Sequence, residues 1–176
     1  MSVRKGSSFE RQVAKIFSDW SGVRLVRTPM SGAWEGCEVD IWPENPEVYW
    51  PLAIECKKSE AWNMDQIMER TGLFFSWIYQ AIGQAKEWSD RTGNIRLPLL
   101  VFSRNFRPIY VAVPMGLLVL LPYQATSLGV LVSPTQKFII LSLNDFLSNI
   151  KYSGILWVIN NNALRCEDSS QSIQTS

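Results

Sequence analysis

The stretch E-V-D-I-W-P-E-N-P-E-V-Y-W-P-L-A-I-E-C-K-K, Glu38 to Lys58, decides how the rest of the chain is read. Glu38 to Trp42 alternates acidic and apolar residues, and Pro43, Asn45 and Pro46 then break the chain. Val48 to Lys57 resumes as a second apolar run, so the pattern predicts two strands joined by a turn. Side chains alternate along a strand. Leu52, Ile54 and Cys56 therefore share a core face, while Ala53, Glu55 and Lys57 share the other. Charges buried on that second face need partners or a metal. Asp40 returns from the preceding strand, so two carboxylates and a lysine are expected to converge at one edge of a sheet. Asp40 and Glu55 offer hard oxygen ligands of the kind Mg²⁺ takes, with Mn²⁺ as a substitute. Lys57 is then suited to orient a water or stabilise developing charge. The alternative is a surface ion pair between Glu55 and Lys57 on an exposed strand end.

Length and composition set the frame. The 176 residues suit one domain with a substantial core, expected over 1–160, followed by a polar tail from 161 to 176 expected to be disordered. Eight tryptophans is a high count: most read as large core residues, and some are expected at a surface, where they stack on bases or partners. The formal net charge is only +1, but it is unevenly distributed. Arg4, Lys5, Arg11, Lys15, Arg24 and Arg27 crowd the first segment, acids dominate 33–69, and Lys86, Arg91, Arg96, Arg104 and Arg107 follow. An acidic centre between basic flanks is what a metal site framed by phosphate contacts requires, and equally what chance clustering of solvated charges produces. Cys37, Cys56 and Cys166 lack zinc-ligand spacing and read as reduced thiols in a cytoplasmic compartment. The absence of histidine excludes Ser-His-Asp and Cys-His chemistry. No stretch is apolar for long enough to span a bilayer, and no signal peptide is expected.

Phe9, Val13, Ile16, Phe17 and Trp20 form one stripe, predicting an amphipathic helix from Ser8 to about Trp20. Ser7-x-x-Glu10 reads as a capping box at its start. Val23 to Thr28 reads as a short strand, and Pro29 to Gly36 as a loop in which Trp34 is either a DNA contact or an anchor packed on the core. A helical region follows Lys58, capped by Asn63 or Asp65 and broken by Gly72. Its second part carries the stripe Phe74, Trp77, Ile78, Ala81, Ala85 and Trp88, flanked by Gln80 and Gln84. Leu97 to Phe102 and Ile109 to Val113 read as strands. The loop between them sets Arg104 and Arg107 around Phe106, a composition suited to phosphate or base contact. Gly116 to Val132 shows no clear period. Lys137 to Leu141 reads as a strand, Asn144 as the cap of a short helix, and Gly154 to Ile159 as a final strand.

Asp40 followed by Glu55-Cys56-Lys57 resembles the D…(D/E)-x-K signature of the restriction-endonuclease-like nucleases. The wider pattern is similar to the archaeal and phage Holliday junction resolvases. It is carried by R-K-G-S-S-F-E (Arg4–Glu10), R-T-P-M-S-G (Arg27–Gly32), V-D-I (Val39–Ile41), I-E-C-K-K (Ile54–Lys58) and P-L-L-V-F-S-R (Pro98–Arg104), with Y-V-A-V-P (Tyr110–Pro114) following. The likeness covers roughly the first two thirds of the chain, and more loosely a region to about Ile150. Val39 stands where the superfamily often has proline. The resemblance implies an α/β fold with a mixed central sheet flanked by helices. It implies Glu10 as a further member of the metal site, the Cys56 carbonyl as a backbone ligand, and Ser31 near the scissile phosphate. It also implies a glutamine on the following helix that supports the catalytic strand. The Y-Q-A element at Tyr79–Ala81 favours Gln80 for that role.

The expected activity is Mg²⁺-dependent DNA endonuclease action on four-way junctions, by a homodimer, in a prokaryotic or phage-infected cell. Asp40, Glu55, Cys56 and Glu10 are the expected metal set, with Lys57, Ser31 and Gln80 completing the catalytic group. Arg4, Lys5, Arg27, Trp34, Arg104 and Arg107 are the expected DNA contacts. The rivals are another restriction-like nuclease acting on linear or forked DNA, and a non-catalytic DNA-binding protein that retains the fold. Apolar residues in Gly116–Val132 are the expected dimer contact.

Overall fold

The apolar stripe of the first segment forms α1 (Val3–Ser21) in the computed structural model, which describes residues 3–28, 39–68, 72–121, 129–132 and 136–161. Phe9, Val13 and Phe17 are buried, and the Trp20 indole N–H donates to Ile150 O at 2.9 Å. The helix begins before Ser7, so Ser7 and Glu10 lie inside it and the capping-box reading fails. Gly22, at φ 76°, turns the chain out of the helix in a conformation open to a residue without Cβ.

Strands β1 (Leu25–Arg27), β2 (Ile41–Pro43), β3 (Leu52–Lys58), β4 (Leu97–Ser103), β5 (Tyr110–Pro114), β6 (Gly129–Val132) and β7 (Lys137–Ser142) form one mixed sheet, in the order β1-β2-β3-β4-β5-β7-β6. β3 and β4 are parallel, and the other neighbours are antiparallel. A parallel pair needs a crossover. Here it is α2 (Met64–Met68), whose start Asn63 caps through Gln66 N at 2.8 Å, and α3 (Leu73–Thr92).

Helices cover both faces of the central strands. On one face α1 packs against Leu52, Ile54 and Cys56. On the other, Phe74, Trp77 and Ile78 of α3 meet Leu100 and Phe102. Leu52 through Cys56 are consequently all buried. The carboxylate cluster is thus not at a sheet edge: β2 flanks β3 on one side and β4 on the other.

Three further expectations change. α5 (Leu143–Asn149) is capped by Ser142, whose Oγ accepts from Asp145 N at 3.0 Å, not by Asn144. The expected last strand is a helix, α6 (Tyr152–Asn160), burying Ile155, Val158 and Ile159 at spacings of three and four. Gly116–Val132 divides into the end of α4 (Met115–Val119) and edge strand β6, on either side of residues outside the description. The polar tail from 162 to 176 also lies outside the described residues. Among the described residues, no helix is long and apolar enough to cross a membrane.

Candidate active site

The hairpin-like return that the sequence predicts is formed by β2 and β3. The register pairs Ile41 with Ile54, which brings Asp40 level with Glu55. Asp40 is anchored through its main chain: its N–H donates to Ile54 O at 3.1 Å, and its carbonyl accepts from Thr28 N at 2.9 Å. Thr28 Oγ1 also donates to Val39 O at 2.6 Å, so the end of β1 braces the turn. Asp40 Oδ2 accepts from Cys56 N at 2.7 Å, tying the carboxylate to β3.

Glu55 is 1% exposed. Its Oε1 is paired with Lys57 Nζ, the residue two along on the same strand face. Gln84, from α3, also stabilises the Glu55 charge by hydrogen bonding, yet Oε2 keeps no partner within bonding geometry. Burial is the main force on both acids. It raises Asp40, with the neighbouring Glu55 charge, from 3.8 to about 7, against the pull of the Cys56 N–H and Lys57. Burial likewise raises Glu55, against the Lys57 and Gln84 hydrogen bonds. The Cys56 thiol is buried and pushed up by desolvation and then by the surrounding carboxylates. Burial thus keeps the thiol neutral and sequestered.

These groups fit a divalent cation. Two desolvated carboxylates repel one another, and one oxygen is buried without a hydrogen-bond partner. Among the described residues no three His, Cys, Asp or Glu side chains form a closed cage. Two carboxylates with the remaining positions open are the arrangement Mg²⁺ favours, since it keeps waters and takes substrate phosphates.

Glu10 is ion-paired with Arg27, both partly buried, and influences Asp40 and Glu55 by its charge. Arg27, expected at a DNA contact, is thus half of a partly buried ion pair. Gln80 is exposed, and Gln84 is the glutamine turned to the site. The stripe already held that distinction: at 3.6 residues per turn, Gln84 lies about 20° beyond Trp77 and Gln80 about 60° beyond it. Gln84→Ala is expected to slow DNA cleavage roughly tenfold or more, because groups that orient a ligand carboxylate carry effects of that size. Gln80→Ala should stay within about twofold, as surface changes do. Single-turnover rates for the two variants distinguish them, and equal losses would remove Gln84 from the site.

Ser31 and Trp34 lie outside the described residues, as do the side chains of Arg4 and Lys5. Arg104 pairs with Glu60 at 3.3 Å, and Arg107 is exposed in the same β4–β5 loop. A cleft of about 490 Å³ between α1 and β1 is lined by Arg11, Lys15, Arg24 and Arg27 among others. Only Arg27 of these four was expected at a DNA contact; the i, i+4 pair Arg11 and Lys15 in α1 was the available signal.

Comparison with known proteins bears on the whole arrangement. Residues 1–156 match the family described as "Phage putative PDDEXK endonuclease". Comparison with curated proteins gives no match. Among solved structures, the chain is similar to Hjc of Archaeoglobus fulgidus, described as a Holliday junction resolvase from an archaeal hyperthermophile. Identity is 15%, over 86% of this chain and 94% of that one, with a TM-score of 0.39. A likeness at that level carries no argument about activity. The family match does: it runs through α1, Asp40, Glu55-Cys56-Lys57 and α3, and this chain belongs to the family of phage PDDEXK endonucleases.

Proposed function

We propose that this endonuclease acts on DNA with Mg²⁺ and resolves four-way junctions as a homodimer. The observation that carries the reading is the convergence of Asp40, Glu55 and Lys57 in one desolvated site. Asp40 and Glu55 would hold the cation, with the Cys56 carbonyl as the further ligand that the family resemblance implies. When bound, such an ion acidifies water and neutralises charge on a phosphate under attack. Lys57, held beside Glu55, is suited to hold a water by donation and to steady negative charge gathering on a phosphate oxygen. Gln84 keeps the Glu55 carboxylate in position. Arg11, Lys15, Arg24 and Arg27 line a cleft along which a phosphate backbone can run, the last three also ion-paired with Asp19, Glu44 and Glu10.

The branched substrate follows from the resemblance between the sequence pieces and the resolvases. Junction resolution needs paired nicks, hence two sites, and a two-fold homodimer supplies them. An exposed apolar group at α4 and α6 supports such a contact. Val119, Leu120 and Trp157 are 65%, 37% and 58% exposed, and Gly154 of α6 lies close against Leu121.

The test is cleavage of a synthetic four-way junction beside a linear duplex, with and without Mg²⁺. Paired nicks in the junction, only with the metal, are expected. Equal cutting of both DNAs would move the reading to a general restriction-like nuclease. No cutting of either under any divalent ion would favour a non-catalytic binding protein.

A further inference from the structure

Phe106, at the tip of the β4–β5 loop, is fully exposed at 105% relative accessibility and is the one non-glycine residue at positive φ, 57°, among the described residues. Both features are unfavourable. A bulky side chain in the left-handed region is strained, and glycine or asparagine would adopt it more readily. An aromatic ring in water gains nothing from burial. Folding therefore gives no reason for phenylalanine here.

The loop that holds it is braced. Glu60 accepts from Asn105 N at 2.7 Å and pairs with Arg104. The buried Ser103 hydroxyl lies 3.0 to 3.2 Å from the carbonyls of Arg104, Arg107 and Pro108. The ring is thus presented by a fixed turn. The turn is also tied to the catalytic strand. Lys58 is in register with Ser103, Ser59 N donates to Ser103 O at 3.1 Å, and Glu60 is three residues beyond Lys57. The loop leaves the sheet at the end where Glu55 and Lys57 sit, with exposed Arg107 next to the ring.

We infer that Phe106 is a base-stacking residue, taking an unpaired or splayed nucleobase beside the cut site while Arg107 meets the adjoining phosphate. The inference rests on the proposed action on branched DNA. A flat π surface with a neighbouring cation is the combination that binds bases without reading their sequence. It also gives the enzyme a means to prefer DNA whose stacking is interrupted, since a paired base in a continuous duplex offers no free face.

The test is fluorescence anisotropy in EDTA on two labelled DNAs, a blunt duplex and the same duplex ending in a two-base unpaired fork. Phe106→Ala is expected to reduce the affinity ratio of fork over duplex by ~10-fold, the scale of one lost base–aromatic stack. Phe106→Trp should retain the ratio. Phe106→Ala should melt no lower than wild type, because nothing packs on the ring. An unchanged ratio in Phe106→Ala, with wild type binding and cutting DNA normally, would overturn the stacking role alone. Wild type that binds neither DNA would overturn the DNA reading and this inference together. A ratio lost in both Phe106→Ala and Phe106→Trp would mean that the loop shape, not the π face, is what matters, and would also overturn it.

Discussion

Asp40→Asn is expected to lose DNA cleavage by roughly 10³-fold or more, since a bound cation supplies several kcal/mol at the transition state and each 1.36 kcal/mol is tenfold. The same variant is expected to melt no lower than wild type. An asparagine Oδ1 can still accept from Cys56 N, so the bond that fixes the turn survives. The substitution also removes a desolvated charge and its repulsion with Glu55. Lost activity with retained or raised stability is the mark of a group kept for chemistry against the interest of folding. Lys57→Ala should behave differently. It also loses activity, but it strips the buried Glu55 of its cationic partner and should lower stability as well. Cleavage assays and thermal melts on the two variants check both halves. Full activity in Asp40→Asn would remove Asp40 from the site.

The stability of the metal-free protein should fall as pH rises between about 4 and about 7. Burial, with Glu55 beside it, raises folded Asp40 to about 7 from an ordinary value of 3.8. Its contribution is therefore fully present below the unfolded value. It is lost as pH climbs through the folded one, because the folded state must surrender a proton that the unfolded chain gave up earlier. Glu55 is shifted in the same direction. The loss is on the order of 2 kcal/mol, discounted for the two acids sharing one field, or several degrees in melting temperature for a chain of this size. A divalent ion should reverse the trend, since it binds the deprotonated carboxylates and stabilises by mass action. Melts in EDTA from pH 4.5 to 8, repeated with Mg²⁺, measure this directly. Asp40→Asn supplies the control, with most of the slope gone. Parallel curves for wild type and Asp40→Asn would show that Asp40 is not proton-coupled to folding.

Several features were legible in the residues themselves because they depend on near neighbours. The stripe of α1, the break after Trp42 and the apolar run into Glu55-Cys56-Lys57 are periodicities of 3.6 and 2. A backbone expresses those patterns wherever it is packed. The closeness of Asp40 to Glu55 was also within reach, since a short antiparallel return leaves little choice of register. The Ile155, Val158, Ile159 spacing was legible too, but a short β-branched run also reads as a strand, and burial against the sheet decided for the helix. Sheet order lay beyond any local pattern. It put β3 between β2 and a parallel β4, buried both its faces, and so turned an expected edge cluster into a desolvated one. The partners of the charges were likewise tertiary. Glu10 meets Arg27 and Gln84 meets Glu55 across 17 and 29 residues of chain, distances closed by helix packing on the sheet rather than by spacing. Phe106 stood in plain view between two arginines, but its full exposure and left-handed backbone come from a turn that Glu60 holds from another loop. Sequence alone thus determined that Asp40, Glu55 and Lys57 converge at the centre of this protein. Tertiary structure decided how far water is excluded from them, and with it their charge, their supports and their cost to folding.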